Sequence, residues 1–437
     1  MTLRSLIFVT VSGLYLLIGT RSAPGQDQTY SSTDGTPTPI QAPGNAPTPP
    51  PPPVPSSGVT PPTGGVSNMD TSTVPKFYTI TASLREEYDD NIFTTKDNRV
   101  GSFVTEFSPS VLVNFPMQDS DFSARYTFGL DYYEHRPGGD NIQYTHEALV
   151  RYTHNFSDRF TLDVRDQFGY YDQPDLLAAV GTPFVDGSYF LNTGTILFNG
   201  QWTPLFGTST SYSNIYIDYE NSTIGTFQNS DENTVAQDFR FAFAPKFNFI
   251  FGGIYDNIDY FDFDRGYTNY TGDIGLDWQA LPSLALGIRG GATYTVPGQG
   301  LADLVSPYAS FTLQWQLGAR SSLDFSYTHN VVPTDVVNAV AQEADRFSLR
   351  FSYDITKQIT VHVEGIETHS RYSSDLLAAN TTPAFSEDDF GLDLGGQYRI
   401  TDNFAVEAGY LLSDVSSEEA PRDYVRNQVY IGVRGTY

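Results

Sequence analysis

Between Phe77 and Tyr437 the chain alternates apolar and polar residues in short segments separated by turns. In the segment Phe122–Tyr133, one side carries Phe122, Ala124, Tyr126, Phe128, Leu130 and Tyr132. The other side carries Ser123, Arg125, Thr127, Gly129 and Asp131. A period of two marks a strand with one apolar and one wet face. Each segment has roughly the 9–11 residues that a strand tilted across a bilayer requires. A chain built of such segments predicts an all-β fold, a transmembrane antiparallel up-and-down barrel.

The first strand runs from Phe77 to Tyr88, with Tyr78, Ile80, Ala82 and Leu84 facing lipid. The second, Phe103–Phe115, turns Thr105, Phe107, Val111 and Val113 outward. Further segments centre on Ala148, Val164, Leu197, Tyr216, Phe241, Gly252, Leu276 and Ile288. Others follow at Leu313, Phe325, Phe351, Val361, Leu394, Val406 and Ile431, which brings the count to about 18 strands. Sixteen result if the weaker hairpin at Tyr216 and Phe241 is misread. Short connections such as Thr203–Gly207 and Thr401–Asn403 alternate with longer, more acidic ones such as Asp172–Ser188 and Ser370–Asp388. Outer-membrane barrels alternate short periplasmic turns with long external loops in this way. The first and last connections are both long, so the strand number is even and both termini are expected on the periplasmic side.

Two stretches precede the strands. Residues 1–25, with Arg4 followed by the apolar run Leu6–Ile18, read as a signal peptide. Residues 26–75 are rich in proline and threonine, with the run Thr48-Pro-Pro-Pro-Pro-Pro53. They read as a disordered periplasmic linker of extended polyproline geometry. The barrel is assigned to residues 76–437. Composition narrows the class further. The chain has no Cys, 29 Tyr and 31 Phe, and no long apolar run after its start. Helical membrane proteins need such runs, whereas barrels place aromatic girdles at both interfaces. A net charge of −27 argues against nucleic acid as a partner.

The inward positions carry the functional argument. They include Arg85, Arg125, Arg151, Arg165, Arg289, Arg350, Arg399 and Arg434. Interleaved with these are Glu87, Glu106, Asp131, Glu147, Asp163, Asp273, Asp277, Asp324, Asp354, Glu364, Asp393 and Glu407. Barrels of 16–18 strands leave an aqueous channel, so these charges line water. Two arrangements are open, and both can hold: opposed charge across the lumen, giving a transverse field, and cross-strand ion pairs that stiffen the wall. The phrases Asp175–Ala179 and Asp375–Ala379, together with Thr334–Gln342, pair a helix-capping residue with helix formers and predict short helical turns. Such segments either fold inward and narrow the pore or pack on one another above the rim.

The first hairpin contains Tyr88-Asp89-Asp90-Asn91-Ile92-Phe93, then a polar loop, then a strand with Ser108-Pro109. On these residues the chain resembles the Putative beta-barrel porin 2 family of outer-membrane proteins. The resemblance implies a large barrel and passage of exopolysaccharide or capsule, with an envelope export complex and polysaccharide as partners. It implies no catalytic residue. Asp89, Asp90 and Asn91 are good turn and cation-binding residues. A Ca²⁺ site needs six to eight oxygens, more than this run supplies, so they read as loop-closing residues. The terminal segment, with Val429, Ile431, Val433 and Tyr437 on one face, reads as the strand recognised by the barrel assembly machinery.

None of the histidines His135, His146, His154, His329, His362 and His369 forms a metal-type pair, and His362 and His369 fall on opposite faces of one strand. No metal, cofactor or enzymatic chemistry is expected. The sequence therefore predicts a porin-like channel in the cell outer membrane, embedded in its lipid bilayer, for passive passage of hydrophilic solutes. An exopolysaccharide outlet is one such channel. The alternative is a non-conducting structural or adhesive surface protein.

Overall fold

The computed structural model describes residues 77–171, 187–262, 266–298, 301–334, 336, 339–372, 384–419 and 422–437. The signal-peptide and linker assignments lie outside the described residues, as do the helical turns at Asp175–Ala179 and Asp375–Ala379. Eighteen strands form one antiparallel sheet. The first nine are β1 (Tyr78–Asp89), β2 (Ser102–Pro116), β3 (Ser120–Tyr133), β4 (Ile142–Ser157), β5 (Phe160–Tyr171), β6 (Tyr189–Thr203), β7 (Phe206–Tyr219), β8 (Ser230–Ala244) and β9 (Phe247–Tyr260). The second nine are β10 (Tyr267–Leu281), β11 (Leu284–Pro297), β12 (Leu304–Gly318), β13 (Ser321–Val332), β14 (Gln342–Asp354), β15 (Ile359–Tyr372), β16 (Phe385–Thr401), β17 (Phe404–Ser417) and β18 (Tyr424–Thr436). Each strand pairs with its sequence neighbours, and β1 pairs with β18, so the sheet closes into a barrel with no free edge. The hairpin around Tyr216 and Phe241 is present as β7 and β8, which settles the strand number at 18.

The short turns share a construction. In six of them the register slips by a bulge just before the turn, as between Gln201 and Thr203, Gln279 and Leu281, and Gln316 and Gly318. At those three, the Gln side-chain amide donates to the carbonyl of Thr203 (2.6 Å), Leu281 (2.7 Å) or Gly318 (2.7 Å). This satisfies an acceptor that the bulge leaves out of the ladder. Threonine hydroxyls do the same for turn donors. Thr203 Oγ1 accepts from the amides of Leu205 and Phe206, and Thr356 Oγ1 from those of Gln358 and Ile359. The connections at the other end are longer, and among the described residues one holds a short helix, α1 (Ser222–Gln228). That helix was not foreseen from the sequence.

The two faces differ as the alternation requires. Exposed large apolar side chains, among them Ile80, Leu84, Val111, Ile274, Ile288, Leu349 and Ile431, cover one face. Rings bound this belt: Phe115, Phe156, Trp202, Phe243 and Trp278 near the short turns, and Tyr88, Tyr132, Tyr144, Tyr270 and Tyr294 near the long loops. Charged side chains occupy the other face. Arg289 on β11 reaches Asp238 on β8 at 2.7 Å, spanning two intervening strands, a reach possible only across the concave side. That face is therefore the interior.

Closure of the sheet depends on the β1–β18 seam, which is held at both ends. Near the short turns, Ile80 and Tyr437 exchange backbone hydrogen bonds of 3.0 and 2.8 Å. At the opposite end Asp89 is fully buried and takes Nε (2.8 Å) and Nη2 (2.5 Å) of Arg426 from β18. Asp90 accepts from both the backbone and the side-chain amide of Asn427, each at 2.7 Å. Asn91 Nδ2 donates to the Val425 carbonyl at 2.9 Å, while the Asn91 backbone amide closes a turn on Asp89 Oδ1 at 2.8 Å. Ile92 then buries against Val104 and Tyr133. The motif Tyr88–Phe93 thus does more than close its own loop: it fastens the first strand to the last.

Candidate pore and its constriction

Strand parity places every one of the charged residues expected inside on the interior face. Four ion-paired groups result, spaced around the wall. At the seam, Arg85 lies 3.5 Å from Glu106 and 3.9 Å from both Glu87 and Glu407, and its guanidinium sits 4.1 Å over the Tyr430 ring. Arg434 completes this group at 2.6 Å from Glu407. On β4 and β5, Asp163 takes Arg151 (2.7 Å) and Arg165 (2.9 Å). On β8, β10 and β11, Arg289 bridges Asp238 and Asp273 (3.5 Å), and Arg240 joins Asp238 at 3.3 Å. On β14–β16, Arg350 meets Glu364 at 3.3 Å and His362 meets Asp393 at 3.0 Å.

Other expected residues sit on the same face with different neighbours. Glu147 accepts from the Tyr171 hydroxyl, Asp354 from the Thr360 hydroxyl, and Arg399 donates to the Lys357 carbonyl. Asp131 stands opposite Glu106 and Asp324 opposite Arg350 in the ladder, while Arg125 pairs in register with Leu112 and Leu149. Asp277 lies four residues from Asp273 along β10, opposite Gly287. Arginines and carboxylates are intermixed within each group rather than segregated to opposite walls. The arrangement is therefore that of cross-strand pairing rather than of one transverse field. Sequence reasoning missed Asp89, Asp238, Arg240, Glu232, Asp256, Arg346 and Arg426, which share this face. Their parity was readable once the strand frame was extended to the rim. Acidic groups outnumber arginines across the interior, so a hydrated lumen bounded by them has a negative potential.

At the long-loop end the described residues of the segment joining β13 to β14 pack on the interior face. Val340 and Ala341 are 1 % and 0 % exposed and pack on Ile258, Tyr260 and Tyr267 of β9 and β10, with Leu301 and Leu304 alongside. On the other side Val336 and Ala339 pack on Tyr372 and Phe385, whose rings stack at 4.2 Å. The segment's own strands are β13 and β14, so it leaves the rim and lies along the inner wall. One polar hook reinforces it, the Tyr260 hydroxyl donating to the Thr334 carbonyl (3.5 Å), and at the end of β13 just before it Asn269 Nδ2 donates to the Val331 carbonyl (3.3 Å). Asn269 is itself fixed by the Thr295 hydroxyl at 2.7 Å. Of the two placements open from the sequence, the described residues of this segment take the inward one. The helical turn expected over Thr334–Gln342 falls partly outside the described residues; within them the Ala339 amide donates to the Val336 carbonyl at 2.9 Å, a single turn, and Gln342 already begins β14. The apolar residues that suggested a helix are spent on the wall instead.

The histidines divide as their parity requires. On β15, His362 points inward to Asp393 and His369 outward to Asp388 at 2.6 Å. His146 lies on the outer face, 2.7 Å from the Tyr126 hydroxyl. No cluster of three or more potential metal-ligating side chains occurs among the described residues.

Residues 290–437 match the family model described as Putative beta-barrel porin 2. The matched wall runs from within β11 to the end of β18, so the Tyr88–Phe93 motif lies outside it. Among solved structures, Acinetobacter baumannii OccAB4 is similar at a TM-score of 0.44 and 11 % identity, over 83 % of this chain and 99 % of that one. The outer membrane protein opdK of Pseudomonas aeruginosa is similar at 0.45 and 10 % identity, over 82 % and 99 %. The FrpB iron transporter of Neisseria meningitidis is similar at 0.42 and 11 % identity, over 80 % and 64 %. Likeness at this level says nothing of cargo. No curated protein matches the chain.

Proposed function

We propose that this protein is a passive channel of the outer membrane, admitting hydrophilic solutes with a preference for cations. The observation that carries the reading is the division of one closed sheet into an apolar, ring-bounded exterior and an interior of ionised pairs with acidic surplus. An exterior of that kind is at home only in hydrocarbon, and a sheet without edges is one of the two structures that hydrocarbon tolerates. An interior of paired charges requires water beside it, because ions desolvated on all sides are costly. The short turns face the periplasm in this reading, which puts both strand termini there. The inward-packed residues Val336 and Ala339–Ala341 set the size limit at the external mouth in this reading.

Liposomes containing the folded protein should swell in isotonic solutions of small sugars, at a rate that falls with sugar size. Liposomes that stay as tight as protein-free ones would favour a non-conducting surface protein instead. Oligosaccharides of increasing length, added as blockers, read whether a polymer threads the same lumen. Concentration-dependent block by long chains would support a polysaccharide outlet, and its absence would limit the channel to small solutes.

A further inference from the structure

Between the two aromatic girdles the outward residues are mostly apolar; β5, β6 and β7 carry a run of polar ones that continues onto β8 with Gln237, and Glu367 stands exposed on β15. Asp166 on β5 points outward and is exposed, six residues above Phe160 and five below Tyr171, near the middle of the belt. Among the described residues Asn192 Nδ2 donates to it at 3.3 Å, a long contact for a carboxylate. Along the same ladder row stand Gly194 and then Asn214. β7 continues the polar surface with Thr208, Thr210 and Tyr212. A Cβ built on Gly194 would meet nothing closer than Asp166 Oδ2 at 3.7 Å, so the glycine leaves a notch between the polar side chains. A carboxylate facing acyl chains at this depth is disfavoured wherever it occurs, and acidic residues in such positions normally face protein or water.

We infer that this surface is the seat of a second copy of the chain, in a twofold contact centred on β6. The sequence of that face is self-complementary. A twofold axis along the barrel axis and through β6 exchanges β5 of one protomer with β7 of its partner and preserves height. Asp166 lies six residues above Phe160, and Tyr212 lies six above Phe206, so the two meet level across the interface. One is an acceptor with little to accept from, and the other is a phenol that donates to Asn233 Oδ1 (2.7 Å) and is free to rotate toward a stronger acceptor. β6 supplies the centre with Ile196 and Phe198, flanked by Gly194 and Gly200, which let the two walls approach. The two Asp166 carboxylates stay two strand spacings apart on their own walls, roughly 10 Å, which limits their mutual repulsion. An isologous patch of this kind closes on itself and forms a dimer rather than a chain of barrels.

This inference rests on the exterior being lipid-facing, and its test does not depend on conduction. The protein has no cysteine, so single cysteines report proximity without background. In isolated outer membranes treated with a mild oxidant, Ile196→Cys should give a disulfide-linked band of doubled mass. Ile274→Cys, seven residues from its short turn just as Ile196 is from Thr203, should not. Adding Asp166→Leu to Ile196→Cys should cut the linked fraction several-fold while the barrel remains heat-modifiable. A cysteine at 196 that reacts with a maleimide yet never cross-links would overturn the inference. Equal cross-linking at 196 and 274 would overturn it too, because that outcome reports random collision.

Discussion

Releasing the segment that narrows the mouth should enlarge the channel without unfolding the wall, and Val340→Asp is the perturbation to use. Eighteen strands spaced about 4.8 Å apart and tilted about 40° make a wall roughly 35 Å across between backbones. Side chains on both sides reduce the clear width to roughly 25 Å, and a segment of chain about 10 Å thick lying along the wall takes a third or more of that section. The seating is mainly apolar. Val340 is 1 % exposed against Ile258, Tyr260 and Tyr267, worth roughly 1.5–3 kcal/mol, and the hydrogen bonds at the segment's start, at Val331 and Thr334, are long at 3.3 and 3.5 Å. A carboxylate at this position loses that contribution and adds a desolvation cost of several kcal/mol, which those bonds do not offset. The segment should leave the wall. Single-channel conductance should then rise about 1.5- to 2-fold, in proportion to the section regained. Val340→Ala, which loses two methyl groups or about 1.6 kcal/mol, should keep the segment seated and the conductance near that of the parent. If Val340→Asp folds, inserts and conducts like the parent, the segment is not the constriction and the reasoning fails.

Three further outcomes follow from the seam and the loops. Arg426→Ala strands the fully buried Asp89 carboxylate and should destabilise the barrel by about 3–5 kcal/mol, read as a lower urea midpoint; an unchanged midpoint would mean the clasp is ornamental. Deleting Tyr437 removes both backbone hydrogen bonds to Ile80 and should lower the yield of heat-modifiable barrel, a result that normal yield would contradict. The hydrogen bond from Lys96 holds the Asp423 carboxyl below its ordinary value of 3.8, and the same bond raises the Lys96 ammonium above 10.5. The tie between the first and last long loops is thus fully present from about pH 4 to pH 10. It fades as pH falls through the lowered Asp423 value or climbs through the raised Lys96 value. Asp423→Asn should accordingly speed tryptic cleavage after Lys96 at neutral pH, where equal rates would show the tie to be without effect.

Period-two alternation was enough to place all the strands, because a one-residue slip would turn Phe122–Tyr132 from the belt to the interior. The same parity put Arg85, Asp163, Arg289 and Glu407 on the concave face, where paired charges lie beside one another. Which charges meet was not legible. Arg289 finds Asp238 across two strands, a consequence of barrel curvature and shear that no local window contains. The inward course of Val336 and Ala339–Ala341 was one of two readings of Thr334–Gln342, because its apolar residues suit packing on other loops above the rim as well as packing on the wall. Only the positions of Ile258, Tyr260, Tyr372 and Phe385, remote in sequence, decide between them. The clasp at Asp89–Asn91 was hidden for a related reason. Asp-Asp-Asn reads locally as turn chemistry, and its partners Val425, Arg426 and Asn427 come from the other end of the chain.

The central claim is that the lumen conducts and that its acidic surplus sets ion preference. Folded protein, shown to be a heat-modifiable barrel, is to be added to a planar bilayer under a salt gradient. The account predicts discrete, long-lived conductance steps and a reversal potential displaced in the direction of cation permeation. Silent membranes, or steps whose reversal potential marks anion preference, would contradict it.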